Sequence, residues 1–202
     1  MALATYNDLV STVSSYLARS DLNSIIPTFV ELAQLRMTRD LRTREMLKIA
    51  TTTATDATVE LPTDFLEMRE IHFQGNPAIT LEYESPDKFF RDFLTESSGE
   101  PFYYTILAYE LQFAPAPDSS MTLQMLYYAQ PTFISSTTSS NLYLANYPDA
   151  LLYATLAEAE PYLFNDERVA IWSAMYDRAI ENIMKNDIGK KFPNTALNVT
   201  LR

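Results

Sequence analysis

The 202-residue sequence predicts a mixed α+β protein: an antiparallel helical bundle built from the N- and C-terminal segments, an antiparallel β unit inserted between them, and an extended C-terminal arm. Three observations carry this. Apolar residues recur at the helical spacing i, i+3, i+4 within residues 1–46 and again within 147–189. Between them, 47–134 is rich in Thr, Val and Tyr, with alternating apolar positions and turn signals, as strands require. After the last helix, Leu197, Val199 and Leu201 alternate with Asn198, Thr200 and Arg202, a strand pattern without an obvious hairpin mate. The expected organisation is a helical bundle of 1–46 and 147–189, an inserted β domain of 47–134 and an arm of 190–202.

Each element has its own justification. Thr5 can cap the first helix, with Asp8 three residues on as a capping-box partner. Tyr6, Leu9, Val10, Val13, Tyr16 and Leu17 then follow the helical rule. A second helix should start near Ile25, with Pro27 in its first turn, where proline is tolerated. Its buried stripe is Ile26, Phe29, Val30, Ala33, Met37 and Leu41, and the two helices should pack as a hairpin. TDFLEMRE reads as a short helical turn, and IHFQGNPAITLEYE as two strands around Gly75-Asn76-Pro77. SPDKFFRDFL reads as a short helix with Ser85 as cap and Pro86 at its first position. FYYTILAYELQFAPAP is a strand, a tight turn and a strand. MTLQMLYYAQP puts Met121, Leu123, Met125 and Tyr127 on one face. ISSTTSSN is a polar connector. One helix then runs from Pro148 to near Phe164, and another from after Asn165 to between Lys185 and Gly189, with the stripe Val169, Trp172, Tyr176, Ala179, Ile180 and Ile183.

Bulk properties bound the function. A chain of this length can bury about 70% of its unfolded surface, enough for a core without staples. There is no cysteine, which excludes disulfides and thiolate zinc sites. The opening MALATYNDLV lacks the pattern of a signal peptide, and no apolar run approaches the ~18 residues of a membrane span, so a soluble protein with no membrane partner is expected. The net charge of −11 is uneven. Residues 1–55 hold six bases and five acids, 56–118 three bases and thirteen acids, and 119–202 six bases and eight acids. The middle of the chain thus carries nearly all the excess, and such a surface repels DNA phosphates. It either solubilises the protein or forms a wall to which nucleic acid must not adhere.

Catalytic arrangements are thin. NYPDALLYATLAEAEPYLFND is apolar almost all the way round a helix and holds two glutamates. Glu158 and Glu160 are two residues apart, about 200° around a helix, so they cannot share a cleft wall as a glycosidase pair must. A helix apolar on every side is buried on several sides, and some of those can be covered by a second subunit. Leu152, Tyr153 and Leu156 are therefore candidate interface residues. His72 is the only histidine and alternates with Ile71 and Phe73 in a strand, with no glycine-flanked elbow to support a nucleophile. The three glycines, Gly75, Gly99 and Gly189, cannot build a phosphate loop. No catalytic residue, metal site or cofactor site is expected. RMTRDLRTRE clusters Arg36, Arg39, Arg42 and Arg44 within nine residues. These either pair with the protein's own acids or dock onto an acidic partner or nucleic acid, and the net charge favours a protein partner over nucleic acid.

The helical hairpin, the β insertion ending LQFAPAPDSSMTLQMLYYAQP, and the segment NYPDALLYATLAEAEPYLFNDERVAIWSAMYDRAI together resemble the head–tail adaptor family of short-tailed bacteriophages, also called head-completion or tail tubular A-like proteins. The resemblance spans nearly the whole chain. It is carried most specifically by Tyr147-Pro148-Asp149-Ala150-Leu151-Leu152, Leu156-Ala157-Glu158-Ala159, Asn165-Asp166-Glu167-Arg168, and the strand–Pro-x-Pro–strand element from Phe113 to Tyr128. It implies a non-enzymatic virion protein of the phage neck, made in the bacterial cytoplasm. A ring, typically of twelve copies, would sit beneath the portal protein, extend the DNA channel without binding DNA specifically, and receive the tail nozzle or other tail proteins. The arm would reach the portal through Phe192, Pro193, Leu197, Val199 and Leu201. Two rivals remain at this point. One is another tail or neck completion protein, which would lack the portal-binding arm. The other is a head-completion protein with peptidoglycan hydrolase activity.

Overall fold

A computed structural model describes residues 3–19, 21–75, 77–93, 98–163 and 166–191. In chain order the elements are helices α1 (Tyr6–Leu17) and α2 (Ile26–Asp40); strands β1 (Leu47–Ala54), β2 (Thr58–Glu60), β3 (Phe65–Phe73), β4 (Ile79–Thr80) and β5 (Glu82–Tyr83); helix α3 (Pro86–Asp92); strands β6 (Tyr103–Leu107), β7 (Glu110–Ala114) and β8 (Met121–Ala129); and helices α4 (Leu142–Asn146), α5 (Pro148–Ala159) and α6 (Asp166–Lys191). The protein is thus mixed α+β, with six α-helices and two sheets among the described residues. It divides into two compact units, Met1–Glu45 with Pro131–Arg202, and Met46–Gln130.

In the helical unit, local chemistry sets the helix ends. The Thr5 hydroxyl accepts from the Asp8 amide at 3.2 Å, and the Asp8 carboxylate accepts from the Thr5 amide at 2.9 Å, a reciprocal capping box. α1 stops where Ala18 turns left-handed, at φ 52°. α2 buries Ile26, Phe29, Val30, Ala33 and Met37, with Leu41 closing the stripe. Gln34, also buried, clamps the main chain of Ile134, donating to its carbonyl at 3.3 Å and accepting from its amide at 2.7 Å. Asn141 then donates to the same Gln34 amide oxygen at 3.0 Å and caps α4 by accepting from Leu144. This helix lies just past the polar connector and was not foreseen.

α5 is the centre of the unit, in contact with α1, α2, α4 and α6. That explains its all-round apolarity: Ala150, Leu151, Leu152, Ala154, Leu156, Ala157 and Ala159 are all buried by the unit's own helices. It ends at Ala159, short of the expected Phe164, because Pro161 has no N–H to continue the ladder and clashes with the preceding turn. The chain makes a 3-10 turn over Pro161–Leu163 instead. α6 runs through Gly189 to Lys191, past the expected end.

The β unit has two four-stranded sheets, ordered β1-β8-β3-β4 and β2-β7-β6-β5. All pairings are antiparallel except β5 with β6. Between them lies a core of Ile71, Phe73, Leu111, Phe113, Leu123, Met125 and Tyr127, with Phe73 and Phe113 rings 5.4 Å apart. TDFLEMRE is part of β3, not a helical turn. The pairing of β3 with β8 shifts between Phe65 and Glu67 and again between Met68 and Glu70. Each shift inserts a residue, so Phe65, Met68 and Ile71 all pack on the core at a spacing of three, which mimics a helical stripe. β6 and β7 join through a two-residue turn in which Ala108 and Tyr109 both have positive φ, 50° and 67°. No described helix is long and apolar enough to cross a membrane.

Candidate docking surfaces

The arginine cluster divides into distinct roles. Arg36 is half-buried. Its guanidinium lies 4.3 Å from the Tyr176 ring centroid, 3.6 Å from Glu158 and 3.9 Å from Asp177. One side chain thereby ties α2 to α5 and α6. Tyr176 is buried and donates to Asp40 at 2.7 Å. Burial, followed by this bond to a carboxylate, pushes its phenol far above the usual tyrosine range. Arg42 closes α2: its guanidinium donates to the carbonyls of Thr38 and Leu41, both at 2.7 Å, where a helix end favours positive charge. Arg44 sits 3.6 Å from the buried Asp187, which also accepts from the Arg44 amide at 2.9 Å. Arg39 is exposed and forms no ion pair among the described residues.

The candidate interface residues of α5 face inward. Leu152 is 6% exposed and Leu156 fully buried, so neither leaves surface for a second chain. Tyr153 is half-buried and stacks on Trp172 at 6.2 Å, and Trp172 meets Tyr16 edge-on at 5.8 Å. This aromatic layer joins α1, α5 and α6. Phe192, Pro193, Leu197, Val199 and Leu201 lie outside the described residues.

The two glutamates serve separate partners. Glu158 faces Arg36. Glu160 is fully buried, accepts from the Trp172 indole N–H at 3.1 Å and lies 3.6 Å from Arg168. His72 pairs with Gln124 at 3.0 Å across neighbouring strands. Among the described residues there is no cluster of potential metal ligands.

What remains for partners is exposed apolar surface. On α2, Leu32 and Leu35 are 41% and 37% exposed and share a face with Arg39. On α6, Ile171 and Met175 stand one turn apart and are exposed. In the β unit, Leu107 and Tyr109 crown the β6–β7 hairpin. The strand, tight turn and strand expected over this stretch are present, although the turn lacks the Asn-Gly or Asp-Gly by which two-residue hairpins usually announce themselves. Here Ala108 and Tyr109 adopt positive φ, at an expected cost of about 1–2 kcal/mol each.

The chain thus combines a helical unit in which Arg36, Arg42 and Arg44 are held by internal ties, an acidic β unit, and apolar residues exposed on outer faces. The family model for the SU10 adaptor protein matches residues 4–197, and the chain belongs to that family of phage head–tail adaptors. It is accordingly a component of the phage particle that meets other head or tail proteins. No curated protein matches the chain.

Proposed function

We propose that this protein forms a ring beneath the portal, typically of twelve copies, that prolongs the DNA channel and receives the tail. The family match over residues 4–197 carries the reading. In it, the N- and C-terminal helices form an antiparallel bundle that builds the ring wall, and the β unit projects toward the tail nozzle. The arm reaches the portal through Phe192, Pro193, Leu197, Val199 and Leu201. Arg39, left in solvent, is the member of the arginine cluster best placed to dock an acidic surface. The acid excess of the β unit lets DNA pass without adhering. The work is assembly, with no reaction to catalyse.

The test is co-expression with the portal protein of the same phage, followed by gel filtration and negative-stain imaging. A portal ring carrying an added ring of this chain is expected, and truncation after Lys191 should abolish it. Absence of association across a range of salt would remove the portal-docking reading. Association that survives the truncation would favour another neck or tail component, whose portal contact does not use the arm.

A further inference from the structure

Two apolar stripes of the helical unit remain in solvent. On α2, Leu32 and Leu35 are exposed, and Arg39 continues their line one turn on. On α6, Ile171 and Met175 are exposed, and Arg178 continues theirs. From Leu32 to Arg39 and from Ile171 to Arg178 the helix advances by the same number of residues, so the stripes match in length at about 10 Å. Glu31 borders the first stripe. It and Arg178 are exposed and enter no ion pair among the described residues.

The stripes open on different sides of the unit. α2 packs on α5 and buries Ala33 and Met37. Leu35 stands about 200° round the helix from either, so its stripe looks away from α5. α6 turns Tyr176 and Asp177 toward α2: Tyr176 donates to Asp40, and Asp177 lies 3.9 Å from Arg36. Met175 stands about 200° from Asp177, and Ile171 and Arg178 share its side of the helix, so this stripe looks away from α2. Two unlike faces on different sides of one unit suit a heterologous contact, the kind that repeats round a ring. Pairing α2 with α2 across a two-fold axis would leave Ile171 and Met175 uncovered.

We propose that the α2 stripe of one copy seats on the α6 stripe of the next, with the two helices antiparallel. Leu32 and Leu35 then cover Ile171 and Met175. Glu31, at the N-terminal end of its stripe, meets Arg178, at the C-terminal end of the other. A parallel arrangement would instead bring Arg39 up to Arg178, and like charges set against each other select against it. These side chains alone offer less than the ~800 Å² per partner of a standard interface, so the pairing belongs to copies that a portal already holds side by side. The inference rests on the ring reading and deepens it by naming the contact that repeats between copies.

The chain has no cysteine, so engineered ones report cleanly. Leu35→Cys and Met175→Cys are made singly and together in the full-length chain and co-expressed with the portal. The purified complexes are treated with a short bis-maleimide and run on a denaturing gel. The double variant is expected to give a ladder of covalent multimers of this chain, and each single variant only monomers. A ring on the portal with no ladder from the double variant would overturn the proposal and leave the ring reading standing. So would dimers from Leu35→Cys alone, which mark α2 packing on α2. Charge reversal at two exposed positions supplies a second measurement. Glu31→Arg or Arg178→Glu alone should lower the amount of this chain held on the portal at least about threefold at low salt, and the two together should restore it. Single reversals that assemble like the wild type would overturn the antiparallel pairing. Absence of any ring from the wild type would remove the ring reading itself, and this contact with it.

Discussion

Asp64→Ala tests what holds the β1-bearing sheet together. Tyr127 is 1% exposed, and its hydroxyl donates to one Asp64 oxygen at 2.8 Å, while Lys48 donates to the other at 2.6 Å. The bond from Tyr127 is to a charged acceptor, and its loss strands a buried hydroxyl, at about 1.5–3 kcal/mol. The Lys48 side chain is 57% exposed, so its pair contributes only about 0–1 kcal/mol. The expected total is about 2–3 kcal/mol, most of it from Tyr127. Tyr127→Phe should cost about 1 kcal/mol, since a partly exposed carboxylate can rehydrate. The double variant should fall short of additivity by about 1 kcal/mol. Urea-dependent hydrogen exchange at the β8 amides reads the β unit, whereas the sole tryptophan, Trp172, belongs to the other unit and reports on that one. Fully additive costs would refute the reasoning. The pH dependence supplies a second check. Burial alone would raise the Asp64 carboxyl, but the bonds from Lys48 and Tyr127 outweigh it and hold it below its ordinary value of 3.8. A depressed carboxylate contributes stability that is complete above that value and is lost as pH falls through the lower, folded-state value. The gap between wild type and Asp64→Asn should therefore be level at neutral pH and narrow below about pH 4. A gap that stays constant into acid would contradict it.

Other expectations follow from the same geometry. Arg36→Ala should cost about 1–2 kcal/mol, through lost stacking on Tyr176 and lost ties to Glu158 and Asp177. Arg36→Lys should recover under half of that in thermal unfolding monitored by Trp172 fluorescence, because an ammonium cannot fork between the two acids. Glu160→Ala should cost about 1–3 kcal/mol by orphaning the Trp172 indole N–H, and Glu160→Gln about 1 or less, since it keeps an acceptor. Cell-wall lysis by the wild type that Glu158→Gln or Glu160→Gln abolishes would instead revive the hydrolase alternative. Leu156→Ala should destabilise by about 2–5 kcal/mol. Leu32→Gln with Leu35→Gln should cost about 1–3 kcal/mol, since both side chains are more than half covered, leave the helical unit folded and yet prevent ring assembly on the portal. Normal assembly by that variant would exclude this face of α2 as the contact between copies.

Helix ends and apolar stripes were legible in the sequence because they depend on neighbours within one or two turns. The Thr5–Asp8 box, the α2 stripe and the alternation of β8 are of this kind. β3 was misread for a reason that local reasoning cannot escape. Two register shifts are properties of its pairing with β8, and they convert an alternating signal into a spacing of three. The division of labour among the arginines was equally hidden. Arg36 meets Tyr176 across 140 residues of sequence and Arg44 meets Asp187 across 143, and no spacing rule links such pairs. The short helix α4 owes its start to Asn141, whose side chain is fixed by Gln34, over a hundred residues earlier.

The apolar helix α5 invited an appeal to a second subunit, and the structure removes the need for one. Once four helices of the same chain cover it, its burial is spent on folding. Among the described residues, the apolar surface that folding leaves over lies on the outer faces of α2 and α6 and at the β6–β7 hairpin tip. Charge works the same way. The stretch 56–118 has three bases against thirteen acids. Lys88 is taken by Glu84 and Arg91 by Asp92, so the bases cancel little of the excess. Asp56, Glu60, Glu70, Glu82, Glu100, Glu110 and Asp118 all reach solvent. A surface of that sign contributes almost nothing to holding the β unit together. Its effect is on what approaches, repelling DNA phosphates and favouring basic partners.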